Sequence, residues 1–143
     1  MNIVKQILQT KGDGVWSISP EASVFEALAM MAEKEIGALL VIDKGEVAGI
    51  FSERDYARKV ILRGKSSKDI PVSEVMTRRV LCVNPSTTVG ECMALMTEKH
   101  IRHLPVMDDG KLAGFISIGD VVKSIISEQE YLIEHLENYI IGR

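Results

Sequence analysis

Val41-Ile42-Asp43-Lys44-Gly45-Glu46-Val47-Ala48-Gly49-Ile50-Phe51-Ser52-Glu53-Arg54-Asp55 returns 65 residues later as Val106-Met107-Asp108-Asp109-Gly110-Lys111-Leu112-Ala113-Gly114-Phe115-Ile116-Ser117-Ile118-Gly119-Asp120. Both stretches read as strand, tight turn, strand and helix start. Asp43-Lys44-Gly45 and Asp108-Asp109-Gly110 read as tight turns in which glycine permits positive φ. Ser52 and Ser117 then open a helix. Working outward, the same offset pairs Val15 with Val80, Pro20 with Pro85, Glu26 with Glu91 and Leu39 with Leu104. Residues 15–59 and 80–124 share 17 identities over 45 positions without a gap. Such self-similarity marks an internal duplication.

Each copy carries the same local signals. Residues 15–18 and 80–83 are predicted strands ended by Ser19-Pro20 and Asn84-Pro85. Ser23 with Glu26, and Thr88 with Glu91, predict capping boxes. Val24, Leu28 and Met31, and Val89, Met93 and Met96, are spaced along one helix face. Strands follow at 38–42 and 103–107, then at 47–52 and 112–117. The expected fold class is α/β (α+β): two tandem β-α-β-β-α repeats. A unit of about 60 residues is marginal alone, so the copies are expected to pack with pseudo-twofold symmetry. The division falls at 1–70 and 71–143, with a polar linker at 64–71. Residues 4–8 and 72–77 read as lead-ins to the first and second copy. Beyond Val121 the pattern stays helical to about Ile140. Ile125, Leu132, Leu136 and Tyr139 or Ile140 form a stripe that either enters the core or meets another copy.

Composition narrows the class. The 143 residues hold 17 basic and 20 acidic side chains, a net charge of −3, so the basic footprint of a duplex nucleic-acid binder is absent. The apolar run 37–42 is too short to span a bilayer. The first residues lack the uninterrupted apolar stretch of a signal peptide. Cys82 and Cys92 form no C-x-x-C pair, which suits a reducing interior. The expectation is a cytoplasmic protein with no membrane and no nucleic-acid polymer as partner. Scattered histidines and cysteines lack metal-ligand spacing, and neither serine sits in a nucleophile elbow. Neither a metal site nor catalysis is expected.

The duplicated stretch, with Val75-Met76-Thr77 before the second copy, resembles the CBS domain, and the pair resembles a Bateman module. Residues 52–56, 63–67, 101–105 and 117–122 are similar to small stand-alone two-CBS proteins of bacteria, with plant organellar relatives. The resemblance implies a regulatory module that binds an adenine nucleotide (AMP, ATP or NAD(H)) in the cleft between the copies. In such modules the serine and aspartate matching Ser117 and Asp120 hold ribose.

The residues suit that role. Asp120, early in a helix, can accept hydrogen bonds from two vicinal hydroxyls. N–H groups around Ser117, Ile118 and Gly119 favour an anion. Arg102 and His103 can meet phosphates, while Val83, Leu104 and Pro105 offer an apolar slot for a purine. In the first copy Arg54, Arg58 and Arg63 carry the positive charge, Asp55 stands where Asp120 does, and Ile18 and Leu39 lie near a base. Local sequence also admits plainer roles: a serine N-cap with a first-turn aspartate, and a solvated basic helix face. The alternative function is a ligand-independent module that dimerises and regulates a partner enzyme; a homodimer is expected in either case. An enzyme acting on a nucleotide ranks last.

Overall fold

The computed structural model describes residues 2–12 and 14–140. In chain order the elements are α1 (Val4–Lys11), β1 (Ser17–Ile18), α2 (Val24–Lys34), β2 (Ala38–Asp43), β3 (Glu46–Ser52), α3 (Glu53–Lys59), α4 (Val89–Lys99), β4 (His103–Asp108), β5 (Lys111–Ser117) and α5 (Ile118–Ile140). Short 3-10 turns follow α3 at Ile61–Arg63 and precede α4 at Val72–Glu74.

The helix starts form as the spacing predicts. Glu26 N–H donates to Ser23 Oγ at 3.1 Å, and Ser23 N–H donates back to Glu26 Oε2 at 3.4 Å. Thr88 and Glu91 repeat this at 3.0 and 3.4 Å. Such a cap satisfies two donors that the first turn leaves without partners. Each helix runs eleven residues and stops at a left-handed residue, Glu35 or His100, both at φ 55°.

The hairpins form the same way. β2 pairs antiparallel with β3, and β4 with β5, with register slips at Val41/Ile42 and Val106/Met107, 65 residues apart. Both turns take positive φ at two successive residues: Lys44 and Gly45, then Asp109 and Gly110. That turn matches the right-handed twist of the flanking strands.

One predicted strand is cut short. β1 pairs parallel with β2 through Ser17 and Ile18. Its counterpart at 80–83 is reduced to a bridge between Val83 and Val106. Val83 N–H donates to Pro105 O at 3.0 Å, and Met107 N–H donates to Val83 O at 2.8 Å. The next parallel bond would need an N–H from position 105. Proline has none, whereas Leu40 supplies it in the first copy.

Packing divides the chain differently from the 1–70 and 71–143 split. One unit is 15–80; the other joins the described residues among 1–14 to those from 81 onward. The first unit buries Val24, Met31, Leu39, Val41, Phe51 and Val72 around its hairpin. The second buries Val4, Ile7, Val89, Met96, Leu104 and Ile116. Burying such a side chain fully contributes about 1.5–3 kcal/mol. Thus α1, read as a lead-in to the first copy, packs with the second. Its Val4 N–H donates to Thr87 O at 2.9 Å. The segment at 72–77, read as a lead-in to the second copy, packs with the first.

The repeated glycines of β3 and β5 explain this pairing. A Cβ on Gly114 would lie 2.6 Å from Leu8 Cδ2 of α1. A Cβ on Gly49 would lie 2.7 Å from the Thr77 carbonyl oxygen and 2.8 Å from Met76 Sδ. Each bare backbone is the seat for an incoming segment. Leucine has a flexible end that can give; the Thr77 carbonyl is bonded to Ile50 N–H at 3.0 Å and cannot. Gly49→Ala is therefore expected to destabilise the protein by about 1–3 kcal/mol, and more than Gly114→Ala. Urea denaturation of both variants checks the order.

The stripe on α5 resolves into two parts. Val121 is buried and Ile125 packs against the core. Ile126, Leu132, Ile133 and Leu136 are about half exposed, at 49, 51, 58 and 57%. Core packing thus accounts only for the first turns. Among the described residues no helix is long and apolar enough to cross a membrane.

Candidate functional site

The second-copy helix start is built where β5 meets α5. Asp120 N–H donates to Ser117 Oγ at 3.2 Å, and Ser117 N–H donates to Asp120 Oδ2 at 2.8 Å. Ile118 N–H donates to Arg102 O at 2.8 Å, which ties the helix start to the entry of β4. The plainer cap reading of Ser117 and Asp120 is therefore correct as geometry. It does not exhaust the carboxylate, because Lys11 from α1 reaches the same place. Lys11 Nζ donates to Asp120 Oδ2 at 2.5 Å and to Phe115 O at 2.8 Å. Both side chains remain open to solvent, Lys11 at 35% and Asp120 at 21%.

Charge follows from these contacts. Burial raises the Asp120 carboxyl, but hydrogen bonds from Lys11 and Ser117, with the Lys11 charge, outweigh it and hold the group below its usual range. His103, partly buried, stacks on Phe115 with ring centroids 5.4 Å apart. Burial, then the Lys11 charge, push its imidazole down to about 4, with Asp120 acting in the opposite direction and Arg102 lowering it further. At neutral pH His103 is uncharged, so it can meet a phosphate as a hydrogen-bonding ring but not as a cation. Arg102 is exposed.

A pH dependence follows. Below about 6.5 an unfolded histidine takes up a proton that folded His103 refuses until about 4. Protonation then favours unfolding, so stability falls as pH drops through that window. The expected loss between pH 7 and 5 is on the order of 2 kcal/mol. Chemical denaturation at the two pH values, with His103→Gln as the comparison, checks it. The variant should show a shallower slope.

The first copy uses the same motif differently. Asp55 Oδ2 accepts from Ser52 N–H at 3.0 Å and Ser52 Oγ at 3.1 Å. Its Oδ1 accepts from Thr77 Oγ1 at 3.1 Å and Lys59 Nζ at 2.9 Å. Lys59 also donates to Val75 O at 3.0 Å. Four donors take up the lone-pair capacity of one carboxylate. Asp55 is only 7% exposed and ties α3 to the segment at 75–77. It thus sits in the packing of its unit, not on an open surface for ribose. Arg54 and Arg58 lie exposed one turn apart on α3, and Arg63 is exposed in the turn after it.

The apolar residues expected around a base are mostly interior. Leu39 and Leu104 have no exposed surface, Val83 is 6% exposed and Pro105 is buried; Ile18 is partly buried. Both backbone polar groups of Val83 are bonded to β4. Leu39, Val83 and Leu104 belong to their cores and form a floor, while Pro105, next to Leu104 in β4, is turned by the pleat to the opposite face. An open cavity of about 570 Å³ does border Val83, and Cys82, Thr87, Glu91, Leu95 and Met107 also line it. Its size suits a small ligand, but Arg102, His103, Ser117 and Asp120 are not among its walls. The structure brings Ser117, Ile118, Asp120, Arg102 and His103 together around one helix start, with Gly119 exposed within it. It adds Lys11 and Phe115, which sequence reasoning missed. Lys11 lies 109 residues from Asp120, so no local spacing could signal it.

Comparison with known proteins agrees with the duplication. The sequence model of the CBS domain matches residues 4–62 and 72–127. The mitochondrial CBS domain-containing protein CBSX3 of Arabidopsis thaliana is 38% identical, with 97% of this chain and 72% of that protein covered. A CBS-domain protein of known structure from Burkholderia ambifaria is 53% identical, with a TM-score of 0.86, covering 90% of this chain and 96% of that one. The CBS domain pair of protein MJ0100, in complex with 5′-methylthioadenosine and S-adenosyl-L-methionine, shares the fold with a TM-score of 0.77 at 23% identity, covering 90% and 98%.

Proposed function

This chain belongs to the CBS domain family, and on that premise we propose that it is a regulatory module whose second copy binds an adenine nucleotide: AMP, ATP or NAD(H). Asp120 takes the ribose hydroxyls, and Ser117 meets the sugar or phosphate. Arg102 favours the phosphate, helped by the dipole of α5, although the Ser117, Ile118 and Asp120 N–H groups that the sequence offered to an anion are already bonded within the fold. The observation that carries this reading is the contrast between the two equivalent aspartates. Asp55 is sealed and held by donors on both oxygens. Asp120 keeps an anionic carboxylate at the surface, with the bonds from Ser117 N–H and Lys11 gathered on Oδ2. The fold of the MJ0100 pair accommodates adenosine ligands, which agrees with this chemistry. We assign no catalytic residue. Occupancy would shift the balance of conformations offered to a regulated protein. Cys82 and Cys92, not joined in a disulfide, suit a reducing compartment such as the cytoplasm. Calorimetry on ligand-stripped protein with AMP, ATP, NAD and NADH tests the reading. Saturable binding of at least one is expected; binding of none overturns it.

The exposed half of α5 favours a second property, association with another copy of this chain. Val122, Ile126, Ile133, Leu136 and Ile140 follow three-four spacing broken once by Gln129, the seam of a paired helix. An antiparallel pairing sets Lys123 of one helix against Glu137 of the other, whereas a parallel one aligns four glutamates with their copies. Light scattering should show a dimer that Leu136→Glu converts to monomer; a wild-type monomer at micromolar concentration excludes it.

A further inference from the structure

We infer that Lys11 is the residue that makes the second-copy site select a phosphorylated ligand over the neutral nucleoside. The inference rests on Asp120 taking the ribose diol. It starts from a conflict in the geometry. A carboxylate that grips two vicinal hydroxyls must offer acceptor capacity to both. Lys11 Nζ already lies 2.5 Å from Asp120 Oδ2, where Ser117 N–H also donates at 2.8 Å. A diol arriving at Asp120 therefore competes with an ammonium for that oxygen.

What happens next depends on the charge of the ligand. A neutral nucleoside takes acceptor capacity from Lys11 and returns nothing of equal strength. A 5′-phosphate brings about −1.5 to −2 charge and several acceptor oxygens. The ammonium can then turn from Oδ2 to phosphate, exchanging one charge-assisted bond for another. The side chain is suited to the turn. It is long, about a third exposed and strongly hydrated. The second contact of its ammonium, to Phe115 O of β5 at 2.8 Å, keeps the head beside the strand. Its root does not move: α1 is anchored by the buried Val4 and Ile7 and by Leu8 against Gly114.

The other groups facing this point cannot make the same distinction. His103, beside Lys11 and Asp120, is uncharged at neutral pH. Arg102 is exposed, and among the described residues its guanidinium makes no ion pair with Asp120, so it can approach a phosphate without first leaving that carboxylate. Among the described cationic side chains, Lys11 is the one bonded to the ribose acceptor. The selectivity is carried by a residue of α1, which lies at the far end of the sequence from the helix it serves.

The test uses two probes that share the adenosine half, AMP and adenosine, titrated calorimetrically into ligand-stripped wild type, Lys11→Met and Lys11→Arg. In Lys11→Met the affinity for AMP should stay within a few-fold, because one charge-assisted bond was only exchanged for another, while that for adenosine should rise about tenfold, since no Lys11 bond is lost when it binds. The ratio of the two therefore falls about tenfold. Lys11→Arg, which keeps the charge, should keep most of the preference. A substitution that merely loosens α1 would weaken both probes together and leave the ratio unchanged; that result overturns the inference while leaving the ribose reading in place. Failure of both probes to bind wild type overturns the ribose reading and the inference with it.

Discussion

Asp120→Ala is expected to weaken adenine nucleotide binding by roughly 100-fold or more. Two hydrogen bonds from a ribose diol to a charged acceptor are worth about 1.5–3 kcal/mol each, and 1.4 kcal/mol is about tenfold in affinity. The substitution also removes the acceptor of Ser117 N–H and Lys11 Nζ. A fold penalty of about 1 kcal/mol, that of a lost helix cap, comes with it. Asp120→Asn separates the two effects. Its carboxamide oxygen can still accept from Ser117 N–H, so thermal stability should stay near wild type. Its amide nitrogen faces a hydroxyl with a donor, so most of the affinity should still be lost. Calorimetry for binding and thermal melting for stability give both readouts. An alanine variant that binds AMP within a few-fold of wild type would remove Asp120 from the site.

Asp55→Ala should behave in the opposite way. Removing this carboxylate takes the acceptor from Ser52 N–H, Ser52 Oγ, Thr77 Oγ1 and Lys59 Nζ. Lys59 is about a third exposed and can turn to water, so its loss is screened. The groups around Ser52 and Thr77 are part-buried and less able to do so. The expected cost is about 2–4 kcal/mol, measured by urea denaturation. It should be concentrated in the unit 15–80, where hydrogen exchange would show faster opening of α3 and the segment at 75–77. Nucleotide affinity of the variant, measured under conditions where it is folded, should change by less than about threefold, well under 1 kcal/mol. Loss of affinity with unchanged stability would erase the distinction drawn between the two aspartates.

Much of the local structure was legible because its causes are local. Ser23 and Glu26 cap α2 because hydroxyl and carboxylate three residues apart reach each other's backbone in any helix. The turns at Lys44-Gly45 and Asp109-Gly110 close because two residues can take positive φ there. Ser117 and Asp120 were found from the same rule, and the repeat made the pattern unmistakable. The shortened strand at 80–83 was readable in principle, since Pro105 announces a missing donor. The burial of Leu39 and Leu104 was not, since their composition suits a ligand wall and a core alike and only the fold places both in the core.

Sequence by itself determined the duplication, the β-α-β-β-α order, the caps and turns, and the membership in a family. Each depends on contacts within a few residues, or on a 65-residue offset that survives as identity. Tertiary structure decided which segment completes which unit, with α1 joining the second copy through Leu8 and Gly114, and the segment at 72–77 joining the first through Gly49. It also decided that two matching aspartates have unlike fates. Thr77 and Lys59 converge on Asp55 and seal it, while Lys11 reaches Asp120 from 109 residues away and leaves it at the surface. The physical reason is range. A cap is set by the residues beside it, but the solvent exposure and charge of a carboxylate are set by whatever the fold brings against it.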